Sequence, residues 1–237
     1  MCTALGNTFA NYMVLRYWFY LHDPAKLRSL DVPFLVEGDD GLFVTDVHPN
    51  PAWFAKLGLI AKIVGADTVE DTDFCHIACA CDGSLLRDPV EVFSKFGWTS
   101  AAPTGRRVTR NRLLKAKCFS GLYECPSCPI LSIYFKTLLE AVLPHKLKSV
   151  FVVDAYHQVL NTDTTDVTKF ISTHYQEPTQ LGRELFERRY GFSISQQLEI
   201  ERAIAQLDFS FLECLSPRDK GEANDHLDYI SKYIEVY

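Results

Sequence analysis

The stretch VPFLVEGDDGLFVTDV, residues 32–47, limits the folds open to this chain more than any other. Two apolar, β-prone runs flank Gly38-Asp39-Asp40-Gly41, which specifies a β-hairpin with strands near 33–37 and 42–46. Two adjacent carboxylates then stand where the chain reverses, with no Asn, Ser or Lys at the tip. The glycines let the backbone bend sharply and let a bulky substrate approach. A divalent cation would neutralise the repulsion. Mg²⁺ takes carboxylate oxygens together with substrate phosphates and keeps several waters, so a short acidic hairpin suits it as a partial site. A solvated turn is the plainer alternative, and the tripeptide alone does not decide between them.

The flanking sequence sets the organisation. Residues 4–22 place apolar side chains on nearly every face (Leu5, Phe9, Tyr12, Met13, Leu15, Phe19), which predicts a helix buried on several sides that stops before Pro24. Asn7, Asn11 and Arg16 interrupt this run, and no basic segment precedes it, so neither a signal peptide nor a membrane span is expected. The segment NPAWFAKLGLIAKI predicts a helix opening at Pro51, then a short strand over 61–64. DFCHIACACDGSLLRDP alternates and carries the turn signal Asp82-Gly83. Helices are expected near 88–96, 108–121, 129–143, 181–190, 193–207 and 224–235, with 144–180 ambiguous and SVFVVDAY within it extended. The change from mixed to mainly helical character near residue 87 is the candidate domain boundary.

Apolar residues at 47% and charged residues at 23% are enough to build a real core. The net charge of −6 argues against a basic coat for nucleic acid but not against a local basic groove. The 199–237 stretch, with nine acidic against four basic residues, carries most of that excess and is expected to face solvent. Eight cysteines in a chain of this length do not make a disulfide framework and indicate reduced thiols.

In order along the chain come MCTALGN (1–7), EGDDGLF (37–43), LGLIAK (57–62) and DFC (73–75). This series resembles the palm of viral RNA-dependent RNA polymerases, nearest those of tombusvirus-like and nodavirus-like positive-strand RNA viruses. MCTALGN resembles that family's motif B, EGDDG motif C, LGLIAK motif D and DFC the start of motif E. DPVEVFSKFGW and YECPSCPIL resemble thumb segments of the same group. The fold implied is α+β: a partial palm of antiparallel sheet with packed helices over 1–87, then a mainly helical thumb over 88–237. The motif B Ser-Gly, the motif A aspartate and the fingers with basic motif F are not present in the sequence. The resemblance therefore implies the C-terminal portion of a polymerase, inactive in isolation, whose missing N-terminal palm and fingers belong to the same polymerase or polyprotein.

The activity implied is template-directed transfer of nucleotides from NTPs to an RNA 3′-OH with Mg²⁺ or Mn²⁺ as cofactor. RNA template and nascent strand are its partners, at replication complexes on membranes in the host cell cytoplasm. Asp39 matches the principal motif C metal ligand and Asp40 the looser second one, with Gly38 beside the substrate. Asn7 matches the motif B residue that reads the ribose 2′-OH, where an amide can both donate and accept. Thr3 lies one helical turn earlier on the same face. Lys62 matches the motif D lysine that would donate a proton to the leaving pyrophosphate, with Lys56 as its competitor. Cys75 opens the motif E hairpin against the primer strand.

Other features have plainer readings. Alternation puts Cys75, Cys79 and Cys81 on one strand face, as core packing would, and their spacing with His76 fits no zinc finger. The CPSC at 125–128 has no second pair and reads as a structural helix entrance. DTTD at 163–166 reads as a polar loop and His157 as structural. GRRVTRNRLLKAK (105–117) has no acidic residue, and Arg106, Arg107, Arg110, Arg112 and Lys115 form a candidate track for RNA phosphates, against the usual solvated helix face. Two rivals to polymerase chemistry stand beside it: a catalytically inactive module that binds RNA or replication partners, and an unrelated metal-dependent hydrolase, which lacks a convincing ligand set.

Overall fold

Helix α1 (Thr3–His22) has no proline and ends where Pro24 opens the short α2 (Pro24–Arg28). In a computed structural model, which describes residues 3–28, 34–96, 107–141 and 167–210, this helix is the backbone of the first of two compact units, residues 1–78. Leu15, Trp18 and Phe19 fall at helical spacing on one face and are buried. Strands β1 (Phe34–Glu37) and β2 (Asp40–Phe43) pair antiparallel, and Phe34 stacks on Phe19 with ring centroids 5.6 Å apart. Phe54, from α3 (Pro51–Ala55), completes this core. Asn50 caps α3 by accepting from the Ala52 N–H at 2.9 Å, and Pro51 follows it at the first helical position.

Two expectations fail in this unit. Helix α1 is buried along one stripe, not on several sides: Leu5, Phe9 and Tyr20 are 72%, 65% and 65% exposed. One hairpin and one short helix can cover only one face of a twenty-residue rod. The strand expected over 61–64 does not form either. Ala61 and Ile63 still pack against the core while Lys62 and Val64 face solvent, so the alternation is real, but the segment pairs with no strand.

The second unit spans residues 79–237. Strand β3 (Ala78–Cys79) forms a second small sheet with β4 (Leu85–Leu86). The expected two-residue Asp82-Gly83 turn is instead a three-residue loop: the Gly83 N–H donates to the Ala80 carbonyl across Cys81-Asp82, and Gly83 follows at φ +86°. Ala78 and Ala80 are buried, while Cys79 is half-buried and Cys81 exposed. The strand alternates in the phase opposite to the expected cysteine core: the face that packs inward carries Ala78 and Ala80, and Cys75 lies in a tight turn with φ +53°.

Helices α4 (Pro89–Phe96), α5 (Arg107–Glu124), α6 (Leu131–Ala141), α7 (Val167–His174), α8 (Gln180–Tyr190) and α9 (Ile194–Ala205) make up the rest. Gly121 of α5 lies so close to Phe135 of α6 that a Cβ there would meet that ring at 2.5 Å, and Cys118, Phe119 and Leu122 of the same helix are buried. Thr179 caps α8, Gly191 ends it at φ +76°, and Ser193 opens α9 with a capping box to Gln196. Inside this unit Arg183 and Glu201 form a bidentate pair at 3.0 and 2.8 Å, and Glu201 also accepts from the Ile130 N–H at 2.9 Å. The helix expected over 224–235, SVFVVDAY, DTTD and His157 lie outside the described residues. The described elements thus make an α+β chain in which, among those residues, no helix is long and apolar enough to cross a membrane.

Candidate active site

The hairpin register places the acids differently from the sequence reading. Glu37 pairs with Asp40 and Val36 with Gly41, so the loop is only Gly38-Asp39 and Asp40 is the first residue of β2. Gly38 takes φ +60° while Asp39 does not enter the left-handed region, the pattern of a type II′ turn. A glycine at the first loop position makes two residues enough, and the expected four-residue tip shortens to two. Asp39 alone occupies the loop. Its carboxylate is exposed and makes no hydrogen bond or ion pair among the described residues.

Cross-strand partners point to the same face, so the repelling pair is Glu37 with Asp40. One residue relieves it. The Cys75 N–H donates to Asp40 Oδ2 at 2.7 Å, and the Cys75 thiol donates to Glu37 Oε2 at 3.5 Å. Asp40 Oδ1 accepts from the Gly41 N–H at 3.0 Å. Burial and then the Glu37 and Asp40 charges push the Cys75 thiol up to about 12, so it stays protonated and serves as a donor rather than a nucleophile.

Helix α1 grips the hairpin from another direction. The Gly38 N–H donates to Thr8 Oγ1 at 2.7 Å, while that hydroxyl donates to the Ala4 carbonyl at 2.8 Å. Asn11 Nδ2 donates to the Asp40 carbonyl at 2.9 Å. Gly41 belongs to this contact, since a Cβ there would lie 3.4 Å from Leu15 and 3.5 Å from Asn11. As site residues Thr8, Asn11 and Glu37 emerge only from the packed structure. The signal available was helical: Thr8 and Asn11 are three residues apart and share a face.

Asn7 is exposed and sits one turn before Asn11, on the side of α1 that reaches the hairpin. Thr3 is the first residue of the same helix, one turn earlier again. Lys62 is exposed, and no hydrogen bond or ion pair joins it to Asp39 or Asp40 among the described residues. Lys56 is the exposed C-cap of α3. Thr3, Asn7, Gly38, Asp39, Asp40, Lys62 and Cys75 all belong to the first unit.

The basic run belongs to the second unit, and one of its members is corrected. Lys115 is 3% exposed, and burial lowers its pKa, so it does not stand on a solvated track. It precedes Cys118, Phe119 and Leu122 by three, four and seven residues, which places it on the apolar stripe of α5. Lys117 also turns inward and donates to the Phe96 carbonyl at 2.9 Å. Arg107, Arg110 and Arg112 lie on α5, with side chains outside the description, and Arg106 lies outside the described residues. Cys125 and Cys128 are buried, and burial raises both thiols, the first to about 12, the reverse of what redox chemistry requires.

Among the described residues, no group of three or more His, Cys, Asp or Glu side chains could hold a metal ion. What the hairpin offers a cation is one open hard-oxygen ligand, Asp39, beside a carboxylate already engaged by two N–H donors. No family model, no curated protein and no solved structure matches this chain.

Proposed function

We propose that this chain is the C-terminal palm and thumb portion of a viral RNA-directed RNA polymerase. The reading is carried by the ordered motif series, in which the acid matching the principal metal ligand, Asp39, is the one left open at the turn. Residues 1–87 correspond to the palm portion and residues 88–237 to the mainly helical thumb. Asp39 would hold Mg²⁺ or Mn²⁺ together with an aspartate from the missing motif A strand. Bound there, the ions would supply charge stabilisation to the attacking and leaving oxygens of nucleotidyl transfer.

The chain's own residues supply positioning. Asn7 offers a donor and an acceptor to the ribose 2′-OH, on a helix that Thr8 and Asn11 fasten to the acidic hairpin. Sugar reading and the Asp39 carboxylate are thus held by one local framework. Lys62, exposed on an unpaired segment, is free to approach a leaving pyrophosphate and donate a proton. Partners are RNA template, nascent strand and NTPs, at replication complexes on membranes in the host cytoplasm.

The test is Asp39→Asn in a polymerase that includes the motif A strand. RNA synthesis should fall by about 100-fold or more, the scale of losing one preorganised electrostatic partner. Residues 1–237 alone should incorporate no nucleotide, and undiminished synthesis by the Asp39→Asn enzyme would end the reading.

A further inference from the structure

Two turns of the first unit converge on Asp40. Its Oδ2 takes the Cys75 N–H at 2.7 Å, a short charge-assisted bond, and its Oδ1 takes the Gly41 N–H at 3.0 Å. A cation approaching this carboxylate would meet the positive ends of two N–H dipoles. Asp39, one residue earlier, presents no such obstacle.

The second turn is costly in itself. Cys75 and His76 both lie in the left-handed region, at φ +53° and +62°, and neither is glycine. Left-handed backbone is uncommon for side chains of this kind, because the Cβ crowds the following carbonyl oxygen. Reciprocal bonds between Phe74 and Ile77, both 3.0 Å, close the turn, which has the φ signs of type I′. Asn or Gly would relax it. Cys75 instead reaches both carboxylates of the acidic hairpin, with its thiol on Glu37 and its amide on Asp40. Backbone strain of this kind persists where the surroundings over-determine it.

We propose that Asp40 is a positioning residue: its carboxylate fastens the Cys75-His76 turn to the hairpin, leaving Asp39 as the cation ligand this chain contributes. With Thr8 holding Gly38 and Asn11 holding the Asp40 carbonyl, every residue of Gly38-Asp39-Asp40 is pinned except the one left for the cation. For the reaction it serves, this inference rests on the polymerase reading, in which the Cys75 turn lies against the 3′ end of the nascent strand. The tie itself stands independently of that reading.

Asp40→Asn tests it, because an amide can accept only one of the two N–H bonds. In residues 1–237, loss of the tie should free the Cys75-His76 turn and let iodoacetamide modify Cys75 about tenfold faster at fixed pH. Asp40→Glu, which keeps charge and acceptor, should restore most of the slow rate, and buried Cys118 should stay unmodified in both variants. In the polymerase, Asp40→Asn should raise KM for the RNA 3′ end about tenfold and move the half-saturating Mn²⁺ concentration by less than about threefold. Unchanged Cys75 modification, or an Mn²⁺ requirement raised more than tenfold, would overturn the proposal. Asp39→Asn run in parallel separates the two ideas: if it leaves synthesis intact, the polymerase reading fails while the Cys75 result still reports on the tie.

Discussion

In the second unit Arg183 and Glu201 meet inside the protein with side chains 11% and 10% exposed, where Arg183 Nη1 also donates to Gln197 and Glu201 Oε1 also accepts from the Ile130 amide. In the first unit Asp39 projects from a two-residue turn with no such partner among the described residues, while Gly38 and Asp40 on either side of it are hydrogen-bonded. The contrast separates two uses of charge. Buried ions must be matched donor for acceptor, so they specify packing and leave nothing for a ligand. An exposed carboxylate costs little to keep in water and stays available to a cation, provided something else fixes its direction. The first unit fixes it with Thr8, Asn11 and Cys75, all acting on the neighbours of Asp39.

The largest effect should follow from breaking the matched pair. Arg183→Met leaves Glu201 buried without its counter-charge, at a cost of about 3–5 kcal/mol. Chemical denaturation of residues 1–237, followed by the signal of the helical unit, measures it. Adding Glu201→Leu should recover only part of the loss, because the Ile130 N–H then loses its acceptor. A single-variant cost under about 1 kcal/mol would class the pair with exposed salt bridges and erase the contrast.

The middle effect tests the grip on the turn. Thr8→Val keeps the shape of the side chain and removes the oxygen that accepts from the Gly38 N–H, at a cost near 1 kcal/mol. Amide exchange at Gly38 should quicken in Thr8→Val and return toward the parent rate in Thr8→Ser. If exchange does not change, the helix does not fasten the hairpin, and the direction of Asp39 needs another explanation.

Local signals were legible and long-range ones were not. Pro24, Asn50-Pro51 and Thr179 are element boundaries whose physics lies within a few residues of each, and they act where sequence rules place them. The α+β mixture follows from the same signals. The hairpin was legible as a hairpin, but its register was not: whether Asp40 belongs to loop or strand is decided by Glu37 pairing with it across the turn. Asp40 to Cys75 spans 35 positions, and Asn11 to Asp40 spans 29. No periodicity encodes such contacts, because they exist only once helix and hairpins have packed. Lys115 is a different failure. Its run has the look of a block of charge, while the helical period that makes Cys118, Phe119 and Leu122 a core stripe also carries Lys115 inward.

The smallest effect asks whether an exposed acid is open by default. Asp82 is as exposed as Asp39 in kind, yet it accepts from the Thr179 hydroxyl and from the Ser84 N–H at 3.0 Å. Those bonds hold its carboxyl below the usual range, the Thr179 hydroxyl first. A depressed folded-state pKa means the unfolded chain takes up the proton more readily as pH drops. The stabilisation is therefore present above the unfolded carboxyl value, about 3.9, and is lost as pH falls through the folded value. Solvent screening limits it to a few tenths of a kcal/mol, roughly. Asp82→Asn should lower the Tm slightly at neutral pH and leave it unchanged at the acid end of the window, whereas Asp39→Asn should leave Tm unchanged or raise it across the same range. An equal loss of Tm from both substitutions would mean that Asp39 is already engaged in the fold, and the difference between an acid held for structure and one left for a ligand would disappear.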